Sequence, residues 1–167
     1  MAASGRRAGP AVIEDLARNP CRFDAFQVVR LLEMWARRRE AEPDRPRFVP
    51  VGQDGPPDRE PVRFRTLPSH TFPPSSICSL ELRKPEEELP PGPLAQVTVS
   101  FLGLIGPNGA LPHHYTSLVI ERLRAKDRSL RDFLDLFNHR LISLFYRAWE
   151  KYRVRTSRRE RPSHRSA

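Results

Sequence analysis

The apolar residues between Ser129 and Tyr152 recur at intervals of three, four and seven, which is the spacing of one face of an α-helix. At 1.5 Å per residue such a helix runs roughly 36 Å. This face consists of Leu130, Phe133, Leu134, Phe137, Leu141, Leu144, Phe145, Ala148 and Tyr152. A second set widens it and consists of Leu136, Ile142, Tyr146 and Trp149. We therefore expect the helix to be covered on more than one side.

Two further helices are predicted near the N-terminus. A short one is predicted over residues 10–18. Asn19 interrupts it, because the residue before a proline is pushed out of helical conformation. The next is predicted from about Arg22 to Arg38. One line of its apolar residues comprises Phe23, Phe26, Val29, Leu32 and Trp35. We interpret this line as the core side of the helix, with part of it available to a partner chain.

Between these helical ends the chain alternates long loops with short strands. Residues 40–61 are rich in proline, glycine and aspartate and predict a long loop, with a short extended piece at residues 48–51. Three later runs have the alternation or the β-branched composition of strands. They are Val62–Leu67, Ile77–Arg83 and Leu94–Leu104. We expect them to form a small antiparallel sheet.

A tight turn follows the third predicted strand. Proline presets φ there, and the asparagine and glycine after it tolerate positive φ. The turn residues are Gly106, Pro107, Gly109 and Pro112, the last suiting the first turn of a helix. That helix is predicted from about His113 to Lys126, and with the long helix it forms an antiparallel hairpin.

The predicted fold class is α+β, in three parts. Helices occupy residues 10–38, the loop and sheet 40–104, and the helical hairpin 113–152. Residues 1–9 are expected to be a disordered N-terminus and residues 154–167 a basic disordered tail.

Charge is concentrated in residues 151–167, which include that tail. The net charge is +9 at pH 7, yet seven basic residues and one acidic residue follow Glu150, so the first 150 residues carry only +3. The tail has no interleaved aromatic residues to stack on bases and no recognisable motif. A basic nucleic-acid-associated protein is therefore the less favoured alternative. Its binding would be salt-sensitive and would be lost on deletion of the tail.

Catalytic and cofactor patterns are weak. Gly106-x-x-Gly109 lacks the Lys-Ser/Thr pair of a phosphate loop. His113, His114 and His139 have no zinc-type spacing, and Asp135 shares a polar helix face with His139. A hydrolase centred on these histidines is the third hypothesis. We expect no enzymatic activity, metal or cofactor.

Cysteine usage and hydropathy suggest an ordinary intracellular chain. Cys21 and Cys78 are far apart in sequence and show no redox or metal spacing, and no secretory signal precedes them. Reduced thiols in a cytoplasmic protein are therefore expected. No apolar run is long enough to predict a membrane span.

The wide apolar surface of the helices is the strongest signal. It is buried either within the chain or against partners in an obligate assembly. We favour partners, because the proline-rich middle, with 13 of the 18 prolines between Pro43 and Pro93, buries little surface.

The run from Phe101 to Arg153, FLGLIGPNGALPHHYTSLVIERLRAKDRSLRDFLDLFNHRLISLFYRAWEKYR, closely resembles the TssG family, also called ImpH or VasB, of bacterial type VI secretion baseplates. Earlier segments that share the resemblance are RFDAFQVVRLLE, EPVRFRTLPSHTFPPSSI and VTVSFLGL. The resemblance covers about residues 12–153. Members of the family are about twice as long, so the chain is expected to correspond to the N-terminal half.

The resemblance implies a non-enzymatic, cytoplasmic subunit of the baseplate wedge, assembled at the inner face of the cell envelope. Such subunits associate with two copies of a TssF-type subunit through a helical core bundle. They also link to TssK-type adaptors and to other wedge subunits. We expect the helix faces given above to supply the partner interface.

Overall fold

Residues 10–39, 47–83 and 92–152 are described by the structure, a computed structural model. The helices within them are α1 (Pro10–Arg18), α2 (Ala25–Arg39), α3 (His113–Arg124) and α4 (Ser129–Tyr152). Single 3-10 turns occupy Pro20–Arg22 and Pro57–Arg59. The strands are β1 (Val62–Thr66), β2 (Ile77–Leu82) and β3 (Ala95–Val99). The expected N-terminal segment 1–9 and basic tail 154–167 lie outside the described residues.

The α+β class and the C-terminal hairpin of α3 and α4 are confirmed, but the antiparallel sheet is wrong. The strand order is β1-β3-β2, with β1 parallel to β3 and only β2 antiparallel to it. Side-chain alternation reports which face of a strand is buried and says nothing about strand direction. The sheet is therefore mixed, with β1 and β2 at its edges.

Several element boundaries also differ from those predicted, and the largest differences are at the start of α2 and the end of β3. Helix α2 begins at Ala25 because the Asp24 carboxylate accepts hydrogen bonds from the amides of Phe26 and Gln27, at 3.1 and 3.2 Å, and so caps the helix. Strand β3 ends at Val99 and does not continue to Leu104. Beyond it the backbone is held by side chains, among them Asn138, whose Oδ1 accepts the Leu104 amide at 2.8 Å.

The main core lies between α2, the sheet and α4. Apolar side chains from α1 and α2 meet the alternating residues of β1 and β3 and two residues of α4. Its large, fully buried members include Leu16, Val28, Leu32, Phe64, Val97, Ile142 and Tyr146. A smaller core under the hairpin joins Ile105, Val119 and Leu134. Only part of the apolar surface of α4 is thus used within the chain.

Helix α4 covers the free edge of β1 with polar side chains. His139 Nδ1 accepts a hydrogen bond from the Phe64 amide, and Asp135 Oδ1 accepts one from the Thr66 amide, both at 3.2 Å. These amides point away from β3 and would otherwise be buried without partners. Nε2 of His139 also lies 3.0 Å from Oε2 of buried Glu60. The polar face predicted for Asp135 and His139 therefore exists, and it faces inward.

Glu33 connects α2 to α4 through hydrogen bonds. Its Oε1 accepts the Val51 amide at 2.9 Å, and its Oε2 accepts the Tyr146 hydroxyl at 3.0 Å. Burial raises the pKa of Glu33, and the two hydrogen bonds oppose that shift only in part. Burial, followed by the nearby Glu33 charge, raises the pKa of Tyr146, which keeps its hydroxyl a donor.

We expect His139→Ala to lower the free energy of unfolding by about 2–4 kcal/mol, because it leaves the buried Phe64 amide without its hydrogen-bond acceptor and opens a cavity. Urea unfolding followed by circular dichroism measures the change. His114→Ala is the matched control, since His114 is exposed on α3, and should cost less than about 0.5 kcal/mol. Equal losses in the two variants would contradict the inward role of His139.

Glu33→Gln should change how stability depends on pH. The folded-state pKa of Glu33 lies above its ordinary value of 4.5, so the folded chain binds the carboxyl proton of Glu33 more tightly than the unfolded chain does. The stabilisation is complete below pH 4.5 and is lost as pH rises through the folded-state pKa. Unfolding at pH 4.5 and pH 7.5 should show the wild type losing stability relative to Glu33→Gln. A difference that stays constant, or moves in favour of the wild type, would contradict this assignment.

Candidate functional site

The side of α4 opposite the sheet is an exposed row of large apolar residues. Phe133, Phe137, Leu141 and Leu144 remain 55%, 50%, 46% and 44% exposed. With Phe145, also half exposed, they form what we call the outer stripe. At 3.6 residues per turn, the four and their continuation at Ala148 and Tyr152 stay within about 100° of the helix circumference. The stripe is therefore a continuous band along the helix.

The two aromatic residues at the start of the outer stripe contact each other. The rings of Phe133 and Phe137 meet edge to face, with centroids 5.3 Å apart. Phe145, at the other end, packs on Phe26 at 5.6 Å and on Phe101 at 6.4 Å. The stripe is thus anchored on the main core at one end and projects into solvent along the rest of its length.

The other predicted interface residues of α4 take different positions. Leu134 is buried in the small core with Ile105 and Val119, and Leu130 is half-buried beside it. Trp149 is half-buried against the main core, where its ring lies 5.0 Å from that of Phe26. These three residues support the position of α4, and the stripe itself is formed by the other five.

The apolar line of α2 faces the main core. Val29 and Leu32 are fully buried, and Phe23, Phe26 and Trp35 are half-buried against the same core. Among the half-buried members, Phe26 contacts the stripe, since its ring lies 5.6 Å from that of Phe145. The core interpretation of α2 fits this placement.

A loop closes one flank of α4. The Arg147 guanidinium donates to the Gly52 carbonyl oxygen at 3.0 Å, and Arg140 Nη2 donates to Asp54 at 3.3 Å. Gly52 has φ of +74°, and a Cβ there would lie 2.8 Å from the Ser143 carbonyl oxygen. Because glycine permits this approach, the part of the loop at residues 52–54 packs on the flank of α4.

The predicted turn residues position α3 against the sheet. Gly106 has φ of +98°, and a Cβ there would lie 2.4 Å from the Leu67 carbonyl oxygen. Its amide donates to Thr116 Oγ1 of α3 at 3.1 Å. Pro107 and Gly109 complete the turn, and Pro112 directly precedes α3. The turn is thus a strand-to-helix connection with its glycine amide already bonded.

The candidate histidines do not form one group. His113 and His114 lie at the exposed start of α3, where the His113 ring is 5.9 Å from that of His70. His139 is buried on the inner face of α4. In the part of the chain that the structure describes, no three His, Cys, Asp or Glu side chains are grouped as metal ligands.

Sequence reasoning missed which side of α4 faces the sheet. The inner face holds Asp135, Asn138, His139, Ile142 and Tyr146, which follow the same spacing of three and four as the apolar set. Three of the five are polar, so a search for apolar periodicity passes over them. The orientation could have been inferred from two features together. One is the set of polar residues at helical spacing, and the other is a strand edge whose amides require hydrogen-bond acceptors.

Comparison with known proteins identifies the family. None of the described helices combines the length and apolar character that crossing a bilayer requires. No curated protein and no solved structure matches the chain. A family model for TssG of type VI secretion matches residues 19–166, which is almost the whole chain. The chain therefore belongs to the TssG family, a structural family of the type VI secretion baseplate.

Proposed function

We propose that the chain is a structural subunit of the baseplate wedge and that the outer stripe of α4 packs against helices of a TssF-type subunit. This proposal rests on the orientation of α4. The helix turns hydrogen-bond acceptors of His139 and Asp135 toward the sheet, and large apolar side chains face solvent. Exposed apolar surface of this extent on one helix is typical of a protein interface.

The geometry of the stripe favours a helical partner. Side chains spaced at three and four along a straight band form ridges that fit the grooves of another helix. Phe133, Phe137 and Phe145 supply large aromatic side chains, which contribute strongly to interface energies. Their exposed rings lie on a long helix whose opposite face is fixed by hydrogen bonds, so little is lost in ordering the helix on binding.

The proposal extends to other partners on the strength of family membership. Two TssF-type copies, a TssK-type adaptor and further wedge subunits would assemble with the chain in the cytoplasm, at the inner face of the cell envelope. The role is scaffolding without catalysis or a bound cofactor. Cross-linking mass spectrometry on the co-expressed subunits would identify which described segments approach the adaptor.

Phe137→Asp or Leu141→Asp should block co-assembly with the TssF-type subunit. A carboxylate buried in an apolar contact without a partner costs several kcal/mol, which lowers affinity roughly 100-fold or more. Because both side chains are about half exposed in the free chain, the free energy of unfolding should change by only about 1 kcal/mol. Co-expression followed by size-exclusion chromatography measures the assembly.

Leu118→Asp is the matched control, since Leu118 is an exposed leucine on α3, outside the stripe. We expect this variant to elute with the TssF-type subunit as the wild type does. A folded Phe137→Asp or Leu141→Asp chain that co-elutes in normal yield would overturn the proposed interface.

A further inference from the structure

The fold brings the two cysteines of the chain together, although they are 57 positions apart in sequence. Cys21 lies in the 3-10 turn Pro20–Arg22, and Cys78 lies in β2. The Cys21 sulfur is 4.0 Å from the Cys78 carbonyl oxygen. The Ser75 hydroxyl donates to the Cys21 carbonyl oxygen at 2.9 Å, which holds the turn beside the start of β2.

Cys78 occupies an irregular position in its strand. Ile77 pairs with Val99 and Ser79 pairs with Thr98, so Cys78 is the extra residue of a bulge between them. A bulge bends the strand and redirects its side chains. No cross-strand residue is registered with Cys78, and its backbone carbonyl oxygen at this bulge lies beside the Cys21 sulfur.

The two thiols differ in exposure, and the more accessible thiol of a pair is the more readily oxidised. Cys21 is exposed, and Cys78 is half-buried. Burial raises the pKa of the Cys78 thiol, and a hydrogen bond with Ser100 opposes the rise only in part. Cys21 is thus the thiol that a small oxidant in solution reaches first, and Cys78 is the cysteine whose backbone its sulfur contacts.

We propose that Cys21 and Cys78 are an oxidant-sensitive pair that closes to an intramolecular disulfide in the presence of hydrogen peroxide. The Cys21 thiolate attacks one peroxide oxygen, an S–O bond forms, the O–O bond breaks and hydroxide leaves. The Cys78 sulfur then attacks the Cys21 sulfur, the S–O bond breaks, and the thiol proton leaves with the oxygen as water. Two electrons pass from the two sulfurs to the peroxide, and no other reactant is needed.

The cross-link fastens the N-terminal turn to the sheet. Closing a loop between residues 21 and 78 restricts the unfolded chain, which predicts a rise in melting temperature of roughly 5–10 °C. The outer stripe is not part of the linked segment, so the oxidation state of the pair and partner binding are separate properties of the chain.

The test is oxidation of the full chain with a small molar excess of hydrogen peroxide, then alkylation and tryptic digestion without reductant. We expect one linked species joining peptide 19–22 to peptide 66–83, and loss of both titratable thiols. The melting temperature should rise and then return on treatment with dithiothreitol. In Cys78→Ser the same treatment should leave a Cys21 sulfenic acid that dimedone traps, with no rise in melting temperature.

Three outcomes would overturn the proposal. The first is that both cysteines remain alkylatable at a peroxide dose that oxidises free glutathione. The second is that Cys21 links two chains instead of pairing with Cys78. The third is that Cys21 is oxidised to the sulfinic acid while Cys78 stays reduced. The peptide analysis of the wild-type chain distinguishes all three even if the serine variant does not fold.

Discussion

The capture of the β1 edge by side chains of α4 is the interaction on which the rest of the structure depends. The amides of Phe64 and Thr66 point out of the sheet and are buried, so each requires an acceptor. His139 and Asp135 supply those acceptors from consecutive turns of one helix. A helix that turns polar groups toward the sheet must place many of its apolar residues elsewhere, and in α4 they lie on the outside.

This constraint links the fold to the function of the family. Sheet edges are protected in many proteins by charges, bulges or short strands. Here the protection is a long helix whose far side is left apolar, and this far side is the surface that we propose for a further subunit. Membership of the TssG family supplies an assembly in which such a surface can be buried. The core of the chain and the proposed interface thus lie on opposite faces of α4.

Much of the local structure could be predicted from the sequence, because it depends on periodicity and on turn chemistry. The extent of α4, the break at Asn19 and the glycine turn at Gly106 all follow from residues close together in the chain. The direction of β1 could not be predicted. β1 pairs with β3 and not with β2, its neighbour in sequence, and the alternation of apolar and polar residues does not indicate strand direction. The orientation of α4 could not be predicted for a related reason. Its inner face accepts hydrogen bonds from strand amides some 70 residues earlier, and which amides lack a partner is known only once the strand pairing is known.

Hydroxyl-radical footprinting of the free chain tests the orientation of α4 most directly, since Tyr146 faces inward and Phe137 faces outward on the same helix. We expect rapid oxidation of Phe133 and Phe137 with little oxidation of Tyr146, which is 1% exposed. Addition of the TssF-type subunit should then protect the two phenylalanines. Rapid oxidation of Tyr146 together with protection of Phe137 in the free chain would contradict the account.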